Sequence, residues 1–267
     1  MSTQSADDNL KRVTKELVSS KKGILAADES SGTMNKRLDA IKVEGTLENR
    51  SMWREVVVSS QGIEEAISGV ILFDETLRTP LPNGKMIVDL LKSKNIHPGI
   101  KVDLGLVKIN EQGETFTQGL DKLEERLVDY KKMGATFAKW RAVYKIGENI
   151  PSTVAITSNS IGLAQYAFLC QKVGLVPIVE PEILVLDGSH NINKSKEVTN
   201  KVLKEVFYWL KKFEVKMVGM LLKPNMVLPG KDSKEKSSAE EIAKITVEVL
   251  KATVPNEVPG IVFLSGG

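Results

Sequence analysis

Cysteine is almost missing from this chain. Cys170 is the one thiol in 267 residues, so no disulfide can form within the chain, which suits a reducing cytosol. Histidine is nearly as scarce, with His97 and His190 only. With no His/Cys ligand pair at useful spacing, metal catalysis is disfavoured, although the carboxylates leave a Mg²⁺ site open. Aromatic residues are 5% of the chain and no dense basic block is interleaved with them, which argues against nucleic-acid binding. No run approaches the ~18 apolar residues of a membrane span. The opening MSTQSADDNLKRVTKEL has no apolar signal-peptide core, so secretion is not indicated. Neither a phosphate-binding G-x-x-x-x-G-K-S/T loop nor a G-x-G-x-x-G turn is present, so nucleotide binding is not supported.

What the chain does have is short apolar runs. The composition is 42% hydrophobic with a net charge of only +3, enough to bury a large core. Seven runs recur: Ile24 to Asp28, Val70 to Phe73, Ile100 to Asp103, Phe137 to Arg141, Val176 to Glu180, Val218 to Lys223 and Ile261 to Ser265. Their spacing of about 30–45 residues fits βα units. Amphipathic helical stretches lie between them. Leu120 to Met133 carries Leu120, Leu123, Leu127 and Tyr130 at three- and four-residue steps and stops at Gly134. Ser195 to Phe213 sets Val198, Val202, Val206 and Leu210 on one stripe. Ile161 to Val173, Ala239 to Leu250 and Asn9 to Ser19 complete the set, and Ser237 with Glu240 has capping-box spacing.

Strand alternating with helix predicts a parallel sheet covered on both faces. A doubly wound open sheet competes with a (β/α)₈ TIM barrel, and the strand ends favour the barrel. Asp28, Lys101, Lys139, Arg141, Glu180, Lys223 and Ser265 all close apolar runs. In a barrel those ends converge on one mouth, whereas an open sheet would spread them along a line too long for one small substrate. The expectation is an α/β barrel, one domain over residues 1–267. Only seven strands are visible and the sequence stops at SGG, so the barrel is expected to be incomplete at its C-terminus.

The mouth has the makings of amine catalysis. Lys223 ends the run GMLL just before Pro224. A lysine there is costly to desolvate, so its pKa is expected to fall, and a neutral amine is what attacks a ketone to form a Schiff base. Lys139 is a candidate cationic neighbour. Glu180, Glu182 and Asp28 are candidate proton shuttles, and in EPE an extended backbone points both glutamates to one side. Lys101 and Arg141 suit a phosphate. Ser265, Gly266 and Gly267 suit a second phosphate at a strand end. Each residue also has a plainer reading. Lys139 and Arg141 share a face and could form cross-strand ion pairs, Glu180 before a proline could be a strand stop, and Asp28 could cap a helix. His97 before Pro98 reads as a surface-loop residue, Cys170 as a small core group, and Trp140 as facing the helix layer.

These residues fall in blocks: GILAADESSGT (23–33), GIKVD (99–103), FAKWR (137–141), VPIVEPEIL (176–184), LLKPNM (221–226) and FLSGG (263–267). In that order they resemble class I fructose-bisphosphate aldolase, the Schiff-base enzyme of glycolysis, from about residue 10 onward. The resemblance implies that Lys223 forms the Schiff base, Glu180 moves protons around it with Glu182 in support, Asp28 takes the C4 hydroxyl proton and Lys139 assists electrostatically. It implies that Lys101, Arg141, Arg37, Ser30 and Thr33 line the binding path and the 6-phosphate end, and that Ser265, Gly266 and Gly267 hold the 1-phosphate. It further implies no cofactor and no metal. Fructose 1,6-bisphosphate and triose phosphates would be the ligands, in a cytoplasmic homotetramer with cytoskeletal partners among its contacts. The family's eighth-strand serine-tyrosine-glycine-arginine segment and its C-terminal tail are absent from the sequence, so a protein ending at Gly267 is expected to turn over weakly or not at all. Leu104 stands where many members have lysine, and the VLDG loop looks one residue longer. A Schiff-base aldolase for a related phosphosugar and a non-catalytic aldolase-like scaffold are the alternative functions.

Overall fold

The structure, a computed structural model, describes residues 3–19 and 21–264. Helix α1 (Thr3–Leu17) leads into strand β1 (Gly23–Ala27). Helices α2 (Ser31–Ala40), α3 (Leu47–Ser59) and α4 (Ile63–Ala66) precede β2 (Ile67–Leu72). Helices α5 (Asp74–Arg78) and α6 (Ile87–Ser93) precede β3 (His97–Lys101). A small antiparallel hairpin follows, β4 (Leu106–Lys108) and β5 (Thr115–Thr117), then α7 (Leu123–Lys132) and β6 (Phe137–Tyr144). The remainder is α8 (Thr153–Val173), β7 (Val176–Ile183), α9 (Ile192–Lys212), β8 (Leu221–Leu222) and α10 (Ala239–Thr253).

The main sheet has the order β1-β2-β3-β6-β7-β8, parallel throughout. Ile261 bridges in parallel to Leu222 on the far side of β8. A doubly wound sheet reverses its strand order at a switch point. Here each strand of the main sheet lies beside the next one to enter that sheet, which is the winding of a barrel. Among the described residues β1 has no partner on its outer edge, so seven positions of the barrel wall are in place.

Side-chain parity splits the core in two. On β6, Ala138, Trp140 and Ala142 point outward into the layer shared with the helices, and Trp140 stacks on Tyr166 of α8 at 5.5 Å between ring centroids. Phe137 points inward and joins Ile71, Val176, Ile178 and Leu221 at the barrel floor. Helix α1 plugs that floor with Leu10, Val13 and Leu17. The periodicity of a strand is two residues, so the inward positions beyond this apolar layer, toward the C-terminal strand ends, are Lys101, Lys139, Arg141, Glu180, Glu182 and Lys223.

Several sequence expectations need correction. The run 218–223 is not one strand, because Met217–Gly219 is a 3₁₀ turn and only Leu221–Leu222 pairs. The cause lies in β7. Alternate residues of a strand turn their N–H groups to opposite neighbours. Pro177, Val179, Pro181 and Ile183 therefore share the β8 side, and the prolines there have no N–H to donate. Pairing with β8 is confined to Ile178 and Val179, and the Ile183 N–H goes to the Asn225 side chain instead at 3.3 Å. The 261–265 run supplies a bridge at Ile261 and no strand over 262–264. Helix α10 is capped one residue later than the capping box implied, by Ser238 accepting from the Glu241 N–H at 3.2 Å. His97 is not a loop residue. It starts β3, with Nε2 at 2.9 Å from Glu16 and Nδ1 at 3.1 Å from Thr136, and burial lowers its pKa.

The floor is packed too closely to accept added volume. A Cβ on Gly99 would overlap the Phe137 ring, and overpacking of this kind costs about 1–3 kcal/mol. Gly99→Ala is expected to lower the unfolding free energy read from the urea transition by that amount, and the midpoint with it, with Phe137→Leu in the same chain restoring part of it. An unchanged midpoint for the single variant would contradict the packing described.

Candidate active site

The inward-facing charges meet in a cleft of ≈ 450 Å³ at the C-terminal ends of the strands. Its lining includes all ten predicted residues that lie among those described: Asp28, Ser30, Thr33, Arg37, Lys101, Lys139, Arg141, Glu180, Glu182 and Lys223. Ser265, Gly266 and Gly267 fall outside the described residues. Strand β7 does not stop at Glu180. It runs through Pro181 to Ile183, which keeps Glu180 and Glu182 on the same inward row.

Four of these groups form one chain of contacts. The Lys223 ammonium touches Glu180 Oε1. Glu180 Oε2 lies 3.2 Å from Lys139 Nζ, which lies 2.8 Å from Asp28 Oδ2. Glu180 and Lys139 are almost fully buried. Burial works against a charge on Lys139, but the carboxylates of Glu180 and Asp28 outweigh it and raise its pKa above the usual lysine value. Lys139 is thus a fixed cation with a carboxylate on either side.

A second tier of cations lies around this chain, each held by a carboxylate. Arg141 pairs with Glu182 from the adjacent strand, and although burial opposes its charge, the hydrogen bond to Glu182 raises its pKa. Arg37 on α2 pairs with Glu29. Lys101 Nζ lies 2.8 Å from Asp103 Oδ1. Ser30 does not point a free hydroxyl into the cleft. Its Oγ caps α2 by accepting from the Thr33 N–H at 3.3 Å and lies 3.1 Å from Thr33 Oγ1. The helix cap considered for Asp28 belongs to Ser30.

Sequence reasoning missed three contributors. Arg54 of α3, 3% exposed, donates to the carbonyls of Ala27 and Glu29 at 2.9 and 3.0 Å and pairs with Glu29 at 3.2 Å. It grips the chain on both sides of Asp28. Burial depresses its pKa, opposed by Glu29. Asp103 and Glu29 also line the cleft. Arg54 carries no local signal, because it sits mid-helix in a stretch without a clean apolar stripe. Asp103 and Glu29 lay inside quoted motifs and could have been found there. Among the described residues, no group of three or more His, Cys, Asp or Glu side chains is placed to hold a metal ion.

Removing the central cation is expected to be costly. Lys139→Met would leave the half-buried Asp28 and the buried Glu180 facing each other without the ammonium between them, a loss of about 3–5 kcal/mol for one partner of a buried pair. The two carboxylates would be left to share the Lys223 ammonium, and would hold a proton more readily than with Lys139 between them, so the deficit should be full at pH 7 and shrink as the pH falls toward ~4. Thermal denaturation of both proteins across that range reads it directly, and a deficit independent of pH would contradict the assignment.

Comparison with known proteins agrees with this geometry. The family profile "Fructose-bisphosphate aldolase class-I" matches residues 9–267. The cytosolic fructose-bisphosphate aldolase 4 of Arabidopsis thaliana is 54% identical over 247 residues, covering 92% of this chain and 63% of the relative. The non-muscle type fructose-bisphosphate aldolase of Lethenteron camtschaticum is 52% identical, covering 97% of this chain and 71% of the relative. Among solved structures, fructose-bisphosphate aldolase from Plasmodium falciparum, in complex with TRAP and a small-molecule inhibitor, superposes with a TM-score of 0.96 at 47% identity over 98% of this chain and 76% of that one.

Proposed function

This chain belongs to the class I fructose-bisphosphate aldolase family, and from that premise we propose that its mouth cleaves fructose 1,6-bisphosphate reversibly to dihydroxyacetone phosphate and glyceraldehyde 3-phosphate through a Schiff base on Lys223. The observation that carries the reading is the continuous line of contacts Lys223, Glu180, Lys139, Asp28. It joins the amine that would hold the ketose carbon to the carboxylate that would open the carbon–carbon bond.

The roles follow from position. Lys223 must lose a proton before it attacks, and Glu180 is the carboxylate in contact with it. The same carboxyl can return that proton to the carbinolamine oxygen, which leaves as water. The protonated imine then draws the electrons of the C3–C4 bond as Asp28 takes the C4 hydroxyl proton. Glyceraldehyde 3-phosphate departs and the enamine on Lys223 is reprotonated and hydrolysed. Lys139 fixes both proton-handling carboxylates and keeps their charges compensated while either one is ionised. Lys101, Arg141 and Arg37, with Ser30 and Thr33, line the arc on which the 6-phosphate is proposed to rest, and Ser265, Gly266 and Gly267 are proposed for the 1-phosphate. Glu182 holds Arg141 and supports Glu180 from the same strand row.

A cytoplasmic homotetramer is proposed from the family. The Arabidopsis relative is named cytosolic while a Pisum sativum relative at 49% identity is named chloroplastic. Among the described residues no helix is long and apolar enough to cross a membrane. A protein partner is proposed on the same footing, since the Plasmodium relative was solved in complex with TRAP.

The test is borohydride reduction with dihydroxyacetone phosphate in the presence of EDTA, read by intact mass and peptide mapping. One adduct, on Lys223, is expected, and none in Lys223→Met. Glu180→Gln should lower kcat by about 10²–10⁴-fold. A folded protein that gives no adduct would overturn the reading.

A further inference from the structure

Asp103 follows β3 on the short path to β4, and it is 7% exposed. Its Oδ1 lies 2.8 Å from Lys101 Nζ, and its own carbonyl oxygen accepts from the same ammonium at 2.9 Å. The Lys101 ammonium is thereby held at one residue by an ion pair and a hydrogen bond, which narrows where its remaining N–H groups can point. The backbone carrying Asp103 is itself held. The Val102 N–H donates to the Lys139 carbonyl at 3.0 Å, Arg126 donates to the Val102 carbonyl at 2.9 Å, and the Leu104 N–H donates to the Gln118 carbonyl at 2.9 Å. Asp103 Oδ2 is buried with no hydrogen-bond donor. Its charge is felt through space by Lys139 and Arg141, and raises the pKa of both.

The position of Lys101 in the wall gives this arrangement a meaning. Lys101 is paired in register with Lys139 on β6, and β7 lies between β6 and β8, at whose end Lys223 sits. Three strand spacings of ~4.8 Å put Lys101 about 14 Å from Lys223 around the wall. A ketose whose carbonyl carbon sits on Lys223 can reach Lys101 only with its far end.

We propose that Asp103 is a specificity-determining positioning residue: by holding Lys101 with its carboxylate and its carbonyl, it aims the ammonium at the phosphate on the substrate end far from Lys223, and so sets the preference for a ketose bisphosphate over a ketose 1-phosphate. The proposal rests on the aldolase reading of the cleft.

Asp103→Asn in the full chain tests it, because the side chain keeps its shape and loses its charge. With fructose 1,6-bisphosphate, kcat/KM should fall about 10-fold or more, mainly through KM. With fructose 1-phosphate, which lacks the far phosphate, the fall should be about threefold or less. Lys101→Met should show the same split, and the double variant should lose little beyond Lys101→Met, as expected for two residues acting as one unit. Equal losses on both substrates, no loss on either, or additive effects in the double variant would overturn the proposal. Should Asp103→Asn fail to fold, Asp103→Glu is read by the same criteria, since its longer carboxylate displaces the ammonium. Borohydride trapping of dihydroxyacetone phosphate on Lys223 is run on every variant. Trapping without the substrate split rejects the role of Asp103 alone, whereas loss of trapping in the folded parent rejects the aldolase reading.

Discussion

A buried ammonium between a buried carboxylate and a half-buried one sets the terms for this structure. Lys139 can stay charged inside the barrel because Asp28 and Glu180 reach it from β1 and β7, at 2.8 and 3.2 Å. Glu180 is balanced in turn by Lys139 on one oxygen and by Lys223 on the other. An isolated charge in that position would neutralise or be expelled. The three come from strands far apart in the sequence, so the network forms only when β1, β6 and β7 occupy their places in the wall. Arg54, gripping the chain on both sides of Asp28, is part of the same requirement.

Alternation along each strand then does the sorting. On β6 and β7 the inward row begins apolar, with Phe137, Val176 and Ile178, and becomes charged two to four residues on. The lower half of the barrel is closed by side chains and by α1, and the upper half is left to ions. The prolines of β7 add a second device. By removing N–H donors on the β8 side they hold β8 to two residues, and the chain leaves the sheet at Lys223 and Pro224. The Lys223 N–H still donates to the Val179 carbonyl at 2.8 Å, which anchors the backbone of the residue proposed to carry the covalent step.

Most of this was legible where the signal was local and periodic. The starts of β6 and β7, the shared face of Lys139 and Arg141, the outward Trp140 and the buried Cys170 followed from alternation and from apolar runs, whereas β2 and β3 begin three residues before the expected Val70 and Ile100. Helices α7 and α9 followed from stripes, α8 from its glycine stop and α10 from a capping signal, although α8 begins eight residues before the expected start, at Thr153. The short helices α2 to α6 were not visible, because four to thirteen residues with mixed faces give little periodic signal. The failures at His97 and Arg54 have a different origin. Both take their partners from segments distant in sequence, Glu16 for His97 and the β1 end for Arg54, and no window along the chain contains that information. The extent of β8 was misjudged because its limit is written in the prolines of its neighbour.

The same charge balance bears on how a phosphosugar would enter. Each cation proposed to meet the far phosphate is already held by a carboxylate: Arg141 by Glu182, Arg37 by Glu29, Lys101 by Asp103. A dianionic phosphate therefore has to share these cations or displace their partners. The three pairs are not equal in this respect. The Arg37 side chain is 59% exposed and its pair is open to water, so exchange there is cheap. Asp103 is 5% exposed at its side chain, and moving it would strand a carboxylate in the wall. The physical expectation is a graded site, with Arg37 free to swing onto a phosphate and Lys101 fixed in advance to receive it.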